Sequence, residues 1–200
     1  MALGKQAKIL TKQQIDRMLA FLALTRNPER DNLIFLLSIK AGLRAKEIAE
    51  IRWSMVLDAD GNIGDSIALE DYASKGRSGR VIPLNRQLRE SMIRYRSALR
   101  SSVYKGKIHS ECLIRTQRGS STCAQVVVNM FKSWYAHVGL QGCSSHSGRR
   151  TFITNAARRI STVGGSLRDV QCLAGHSSLN TTQRYIESDT EARRKIVDLV

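Results

Sequence analysis

Hydrophobic spacing switches period twice along the chain, from helical to alternating and back, so the chain must combine helices with a small sheet. Thr11-Lys12-Gln13-Gln14 is a capping-box sequence, followed by Ile15, Met18, Leu19 and Leu22 on one helical face. Asn27-Pro28 breaks that helix. Residues 31–41 carry Leu33, Ile34, Phe35, Leu36, Leu37 and Ile39, which predicts a buried helix. Gly42 ends it, and a short helix restarts over 44–52. Residues 54–58, 66–70 and 80–84 are instead short and β-like. Turn residues at Asp60-Gly61-Asn62 and Lys75-Gly76-Arg77-Ser78-Gly79 separate them, which predicts an antiparallel meander. Asn85 and Thr122 can cap helices running to about 99 and 137, and helical spacing continues over 147–160, 166–174 and 178–186. A last amphipathic stretch covers 191–200. The fold class is α+β, a mostly helical domain with a small three-stranded antiparallel sheet near residues 54–84.

Pro28 and Pro83 are the only prolines, and no Ser/Gly-rich linker or internal repeat divides the 200 residues. Residues 1–200 are therefore expected to form one domain, long enough to bury a core without a metal or disulfide. The 32 Lys and Arg against 17 Asp and Glu leave a formal charge of +15, shared by both halves of the chain. Such a domain expects a polyanionic partner, nucleic acid before membrane. No apolar stretch approaches the roughly 18–20 residues of a membrane span. The start of the sequence has no signal-peptide core. Cys112, Cys123, Cys143 and Cys172 form no CxxC pair, so reduced thiols in a cytoplasmic setting are expected, without a structural zinc.

Candidate chemistry sits in five segments, each with an ordinary structural reading of its own. Arg44 and Glu47 share a helical face, so the carboxylate can hold the guanidinium ready for a phosphate oxygen, or the two form a plain surface pair. Lys75, Arg77 and Arg80 crowd a Gly/Ser-rich turn that could enter a DNA groove, or be a solvated basic loop. His146 and Arg149 fall on one face at a helix start, where proton transfer and anion binding coincide; a helix cap beside a surface arginine is the alternative. Gly175-His176 ends the next helix. Tyr185 follows nine residues later and by itself reads as packing. No HxxxH or carboxylate spacing around His146 or His176 suits zinc.

Taken in order, Arg44 in GLRAKEI, Lys75 in a hairpin, His146-x-x-Arg149, Gly175-His176 and Tyr185 resemble the catalytic set of the tyrosine recombinases, the phage-integrase family. LAGHSSLNTTQRYI is similar to that family's segment between its last phosphate-binding histidine and its nucleophilic tyrosine. The resemblance implies that Arg44, Arg149 and His176 bind the scissile phosphate. Tyr185 would attack it to form a 3′-phosphotyrosine. Lys75 would protonate the leaving 5′-oxygen, His146 would assist proton transfer at the tyrosine, and Glu47 would support Arg44. Arg77, Arg80 and Arg150 are further expected DNA contacts. No cofactor or metal is implied.

Double-stranded DNA is the implied partner, bound by a homotetramer holding two sites, with residues 187–200 packing in trans. The family's N-terminal DNA-clamping domain is expected to be absent. Ser147-Gly148 departs from the bulkier pair usual between the histidine and arginine, and Gly148 should weaken the helix start by roughly 1 kcal/mol relative to Ala. The function implied is site-specific recombination, whether integration, excision, inversion or resolution. Type IB topoisomerases share the residue order but usually carry Lys in place of His146. A non-catalytic DNA-binding relative would have no need of Tyr185.

Overall fold

The computed structural model describes residues 7–74, 78–101, 111–116, 119–187 and 197–198. Helix α1 (Lys12–Leu22) starts at the expected capping box, with Thr11 and Gln14 exchanging side-chain-to-backbone bonds, and buries Met18 and Leu22. Helix α2 (Pro28–Lys40) has proline at its first position, Glu29 and Asp31 in its first turn and Lys40 in its last, matching the helix dipole. It is buried from Leu33 to Ile39 and packs against both α4 (Arg86–Ser101) and α6 (Ser147–Arg159). Short helix α3 (Ala45–Glu50) lies against α5 (Ala124–His137). Asn85 caps α4 as expected, accepting from the Leu88 N–H at 2.8 Å. At α5 the cap position is Cys123 rather than Thr122, with no side-chain cap bond.

Among the described residues the sheet has two strands, not three. β1 (Ser66–Leu69) and β2 (Arg80–Pro83) pair antiparallel, Leu69 opposite Arg80 and Ile67 opposite Ile82. Residues 54–58 curl instead. Trp53–Met55 is a 3₁₀ turn, and the N–H groups of Val56 and Leu57 both return to the Trp53 carbonyl at 3.0 Å. The Asp58 carboxylate accepts from the Asn62 N–H at 2.7 Å and tightens the following turn, leaving one isolated bridge between Leu57 and Ile63. Trp53, Met55 and Val56 are all buried, and a strand with one wet face cannot bury adjacent residues.

The main core gathers α1 to α5 and the sheet around Phe35, Trp53, Phe131 and Tyr135. A smaller cluster of Ile153, Val170 and Ala174 joins α6 to α7 (Leu167–Ala174), and Tyr185 of α8 (Leu179–Glu187) packs against it. Of the amphipathic stretch expected over 191–200, all but residues 197 and 198 lie outside the described residues. None of the described helices is long and apolar enough to cross a membrane.

Gly148 is a close-packing residue rather than a weak spot in α6. A Cβ there would collide with the Ser38 hydroxyl and lie 3.0 Å from Ser38 Cβ on α2. Both residues are buried. Gly148→Ala should therefore destabilise the protein by about 1–3 kcal/mol, overpacking outweighing the helix propensity gained. Urea denaturation measures this; a variant as stable as the parent contradicts it.

Candidate active site

Glu47 anchors one side of the site. At the third position of α3 it reaches back to the Arg44 N–H with Oε2 and takes the Arg44 guanidinium on Oε1, both at 2.8 Å. The carboxylate has no solvent exposure. Its other partner comes from β2: Arg80 Nη1 and Nη2 donate to the two Glu47 oxygens at 3.1 Å each. Burial alone would raise the Glu47 pKa, but the Arg80 hydrogen bonds and charge, with the backbone bond and charge of Arg44, hold it below the ordinary value. Of the two readings of this pair, the surface one fails: Glu47 is a buried carboxylate between two guanidiniums.

Arg149 crosses from α6 to the other side. It is 3% exposed, and its Nη1 and Nη2 donate to the carbonyls of Gly42 and Ala174 at 2.6 Å each. Burial, then the nearby Arg44 charge, pushes its pKa down to about 10, so it stays charged at neutral pH. Ala174 closes α7, and Gly175 turns the chain with φ +60° to present His176. The His176 carbonyl accepts from Gln171 Nε2 at 2.9 Å, and its Nδ1 lies 2.9 Å from the hydroxyl of buried Thr182. The imidazole stacks on the Tyr185 ring, centroids 5.6 Å apart and planes 23° from parallel.

Burial first, then the charges of Arg149, Arg44 and Arg80, push the His176 pKa down to about 4 from its ordinary 6.5. The imidazole is neutral at physiological pH. Between those two values the folded chain holds fewer protons than the unfolded one. The stability tied to this group is therefore full above pH 6.5 and is lost as pH falls towards 4. Thermal unfolding across that window should show a falling Tm, and His176→Gln should flatten the fall; identical pH profiles contradict it. Glu47, with its depressed pKa, loses its own contribution only as pH falls below the ordinary carboxylate value of 4.5.

Tyr185, half-buried on α8, shares a cavity of about 300 Å³ with His146, Arg149, Arg150 and Arg184. Exposed His146 occupies the cap position of α6, one turn before Arg149. Such a cavity can receive an anion beside a phenol and an imidazole. Arg44, Glu47, Arg149, His176 and Tyr185 come together, with His146 and Arg150 at the cavity. Lys75 and Arg77 lie outside the described residues. Arg80, expected as a DNA contact, turns inward to Glu47 and the Leu173 carbonyl, its side chain 7% exposed.

Two features escaped sequence reasoning, the inward Arg80 and Thr182. Strand alternation held the signal for the first: Arg80 is two residues from buried Ile82 and opposite buried Leu69, on the core face of the sheet. Thr182 sits six residues after His176, a spacing with no pattern of its own. Among the described residues no group of three or more His, Cys, Asp or Glu is arranged to hold a metal ion.

A helical domain with a two-stranded sheet, and arginines and a histidine gathered around a tyrosine, defines a class, and comparison with known proteins agrees. Residues 8–192 match the phage integrase family, and the chain belongs to that family. It is 31% identical over 179 residues to tyrosine recombinase XerD of Neisseria meningitidis serogroup B, covering 88% of this chain and 57% of the relative. It is 30% identical over 191 residues to tyrosine recombinase XerA of Thermococcus kodakarensis, covering 94% and 61%. The chain thus spans less than two thirds of the length of these relatives. The crystal structure of XerA recombinase superposes with a TM-score of 0.74 at 20% identity, over all of this chain and 65% of that one. The Tn1549 transposon integrase in complex with a circular intermediate DNA gives 0.71 at 17% identity, over 98% and 66%. The fold is that of a tyrosine-recombinase catalytic domain.

Proposed function

We propose that this chain is the catalytic unit of a site-specific DNA recombinase, cutting and rejoining strands through a 3′-phosphotyrosine. The single observation that carries the reading is the Arg149 guanidinium, fixed between the Arg44 and His176 segments and facing the cavity that holds Tyr185 and His146. In this reading the scissile phosphate sits beside Arg149, between the cavity and the neighbouring Arg44 and His176, which would be its further ligands. The Tyr185 oxygen attacks phosphorus and His146 receives its proton. The 5′-oxygen leaves with a proton from Lys75. Fixed positive groups stabilise the charge redistributed over the phosphoryl oxygens without reorganising. The phosphotyrosine keeps the energy of the broken bond, so a 5′-hydroxyl from another strand reverses the step.

His176 serves as a neutral donor before DNA arrives. The Thr182 hydroxyl lies 2.9 Å from Nδ1, and the tautomer that suits phosphate binding is the one in which the hydroxyl donates there and the ring proton sits on Nε2. A bound phosphodiester then opposes the arginine charges and raises the pKa. The +15 charge suits double-stranded DNA as partner, with Arg77 and Arg150 as further contacts. A tetramer on two DNA sites, with residues 187–200 packing on a neighbouring protomer, is the assembly proposed. Val197 in that segment is 69% exposed. The cytoplasm, beside bacterial or mobile-element DNA, is the proposed compartment.

A nicked duplex that loses its 5′-hydroxyl strand on cleavage tests this. A covalent protein–DNA adduct is expected, and no adduct returns the chain to the binding-only class. Strand exchange between two sites is expected next. Relaxation of supercoils without exchange would mean topoisomerase-like chemistry instead.

A further inference from the structure

Arg80 takes no part in the proposed chemical steps, yet apart from a long bond from Nη1 to the Ser78 carbonyl at 3.4 Å its bonds end beside groups that do. Nε donates to the Leu173 carbonyl at 2.8 Å, in the last turn of α7 and three residues before His176. Nη1 and Nη2 close a fork on Glu47, which itself holds Arg44 by backbone and side chain. The guanidinium also lies against Gly175: a Cβ there would stand 2.7 Å from Nη1, so the glycine before His176 makes room for Arg80 as well as turning the chain. Arg149 grips the next carbonyl, Ala174. Two guanidiniums therefore cap successive carbonyls of α7 and tie them to the start of α3, one through Glu47 and the other through the Gly42 carbonyl.

We propose that Arg80 is a positioning residue which, through Glu47 and the Leu173 carbonyl, sets the placement of Arg44 relative to the Gly175–His176 turn and makes no contact with DNA. The inference rests on the reading of Arg44 and His176 as phosphate ligands. A fork on the Glu47 carboxylate together with a bond to the Leu173 carbonyl suits a planar guanidinium, and a lysine ammonium cannot match that geometry. The charge matters equally. A fully buried carboxylate left with one cation draws that cation onto itself. With Arg80 supplying two of its bonds, Glu47 takes only Nη1 of the Arg44 guanidinium. The Arg44 side chain, 22% exposed, keeps its remaining N–H groups for a phosphate.

Arg80→Met and Arg80→Lys in the full chain test this on the nicked duplex, reading the DNA dissociation constant and the single-turnover rate of adduct formation at saturating DNA. The Met variant should cut the rate by about 10²-fold while leaving affinity within about twofold, as misplacement of a catalytic group does. The Lys variant should recover only part of the rate. Weakened affinity with a salt slope lower by about one would make Arg80 a phosphate contact and overturn the proposal. An unchanged saturating rate with a lowered Tm would make it a stability residue only. If the parent protein itself forms no adduct, the recombinase reading fails separately. The placement is then read in DNA-free protein from the His176 ring resonances by NMR, which should move in both variants. Unmoved resonances in both would overturn the placement.

Discussion

Tyr185→Phe should abolish covalent attachment to DNA while the protein still folds and still binds its duplex. The substitution removes one oxygen and keeps the ring that packs on the Ile153, Val170 and Ala174 cluster and stacks on His176. A single conservative change of this kind shifts stability by about 1 kcal/mol or less, far below what unfolding requires. DNA affinity, resting on many cations spread over the chain, should be unaffected. Among the described residues lining the cavity Tyr185 carries the only phenol; the others are guanidiniums, one imidazole, the Thr181 hydroxyl and the Ala7 methyl. A denaturing gel reads the adduct and a mobility shift reads the affinity. Loss of both together would mean that the residue serves folding or binding rather than attack.

Arg149→Ala should damage both rate and stability, because two losses coincide. Removing a preorganised charge from the transition state costs on the order of 10²–10³ in rate. The structure adds a second cost. The Gly42 and Ala174 carbonyls would lose their buried donor, and each unsatisfied group costs about 1–3 kcal/mol. Tm should fall visibly. The rate measurement therefore belongs at a temperature where circular dichroism shows the variant folded. Arg149→Lys should rescue little, since one ammonium cannot span carbonyls on two segments. A folded Arg149→Ala protein cleaving at the parent rate would remove the arginine from the site.

Helix starts were legible where a side chain declares the cap, as Thr11 and Asn85 do, because capping is a local bond between neighbours. The ladder over 54–58 was not legible. Its apolar residues read as a strand, but Asp58 and the Trp53 carbonyl closed local turns that compete with pairing. The order of the candidate site residues was readable from the motifs, whereas their depth was not. The support Glu47 gives Arg44 was readable, but its burial and its second cation were not, because Arg80 lies 33 residues away and reaches it only once β2 has paired with β1. Gly148 read as a flaw in α6 because its neighbour Ser38 is on another helix. Periodicity reports which face of an element is buried. It is silent on what that face touches.

The most direct measurement is to trap the parent protein on the nicked duplex, digest both components and locate the remaining nucleotide by mass spectrometry. The proposed chemistry requires it on the phenolic oxygen of Tyr185, joined to the 3′ end of the cut strand. A nucleotide on Tyr72, Tyr95, Tyr104 or Tyr135, or an adduct that persists in Tyr185→Phe, would contradict the assignment.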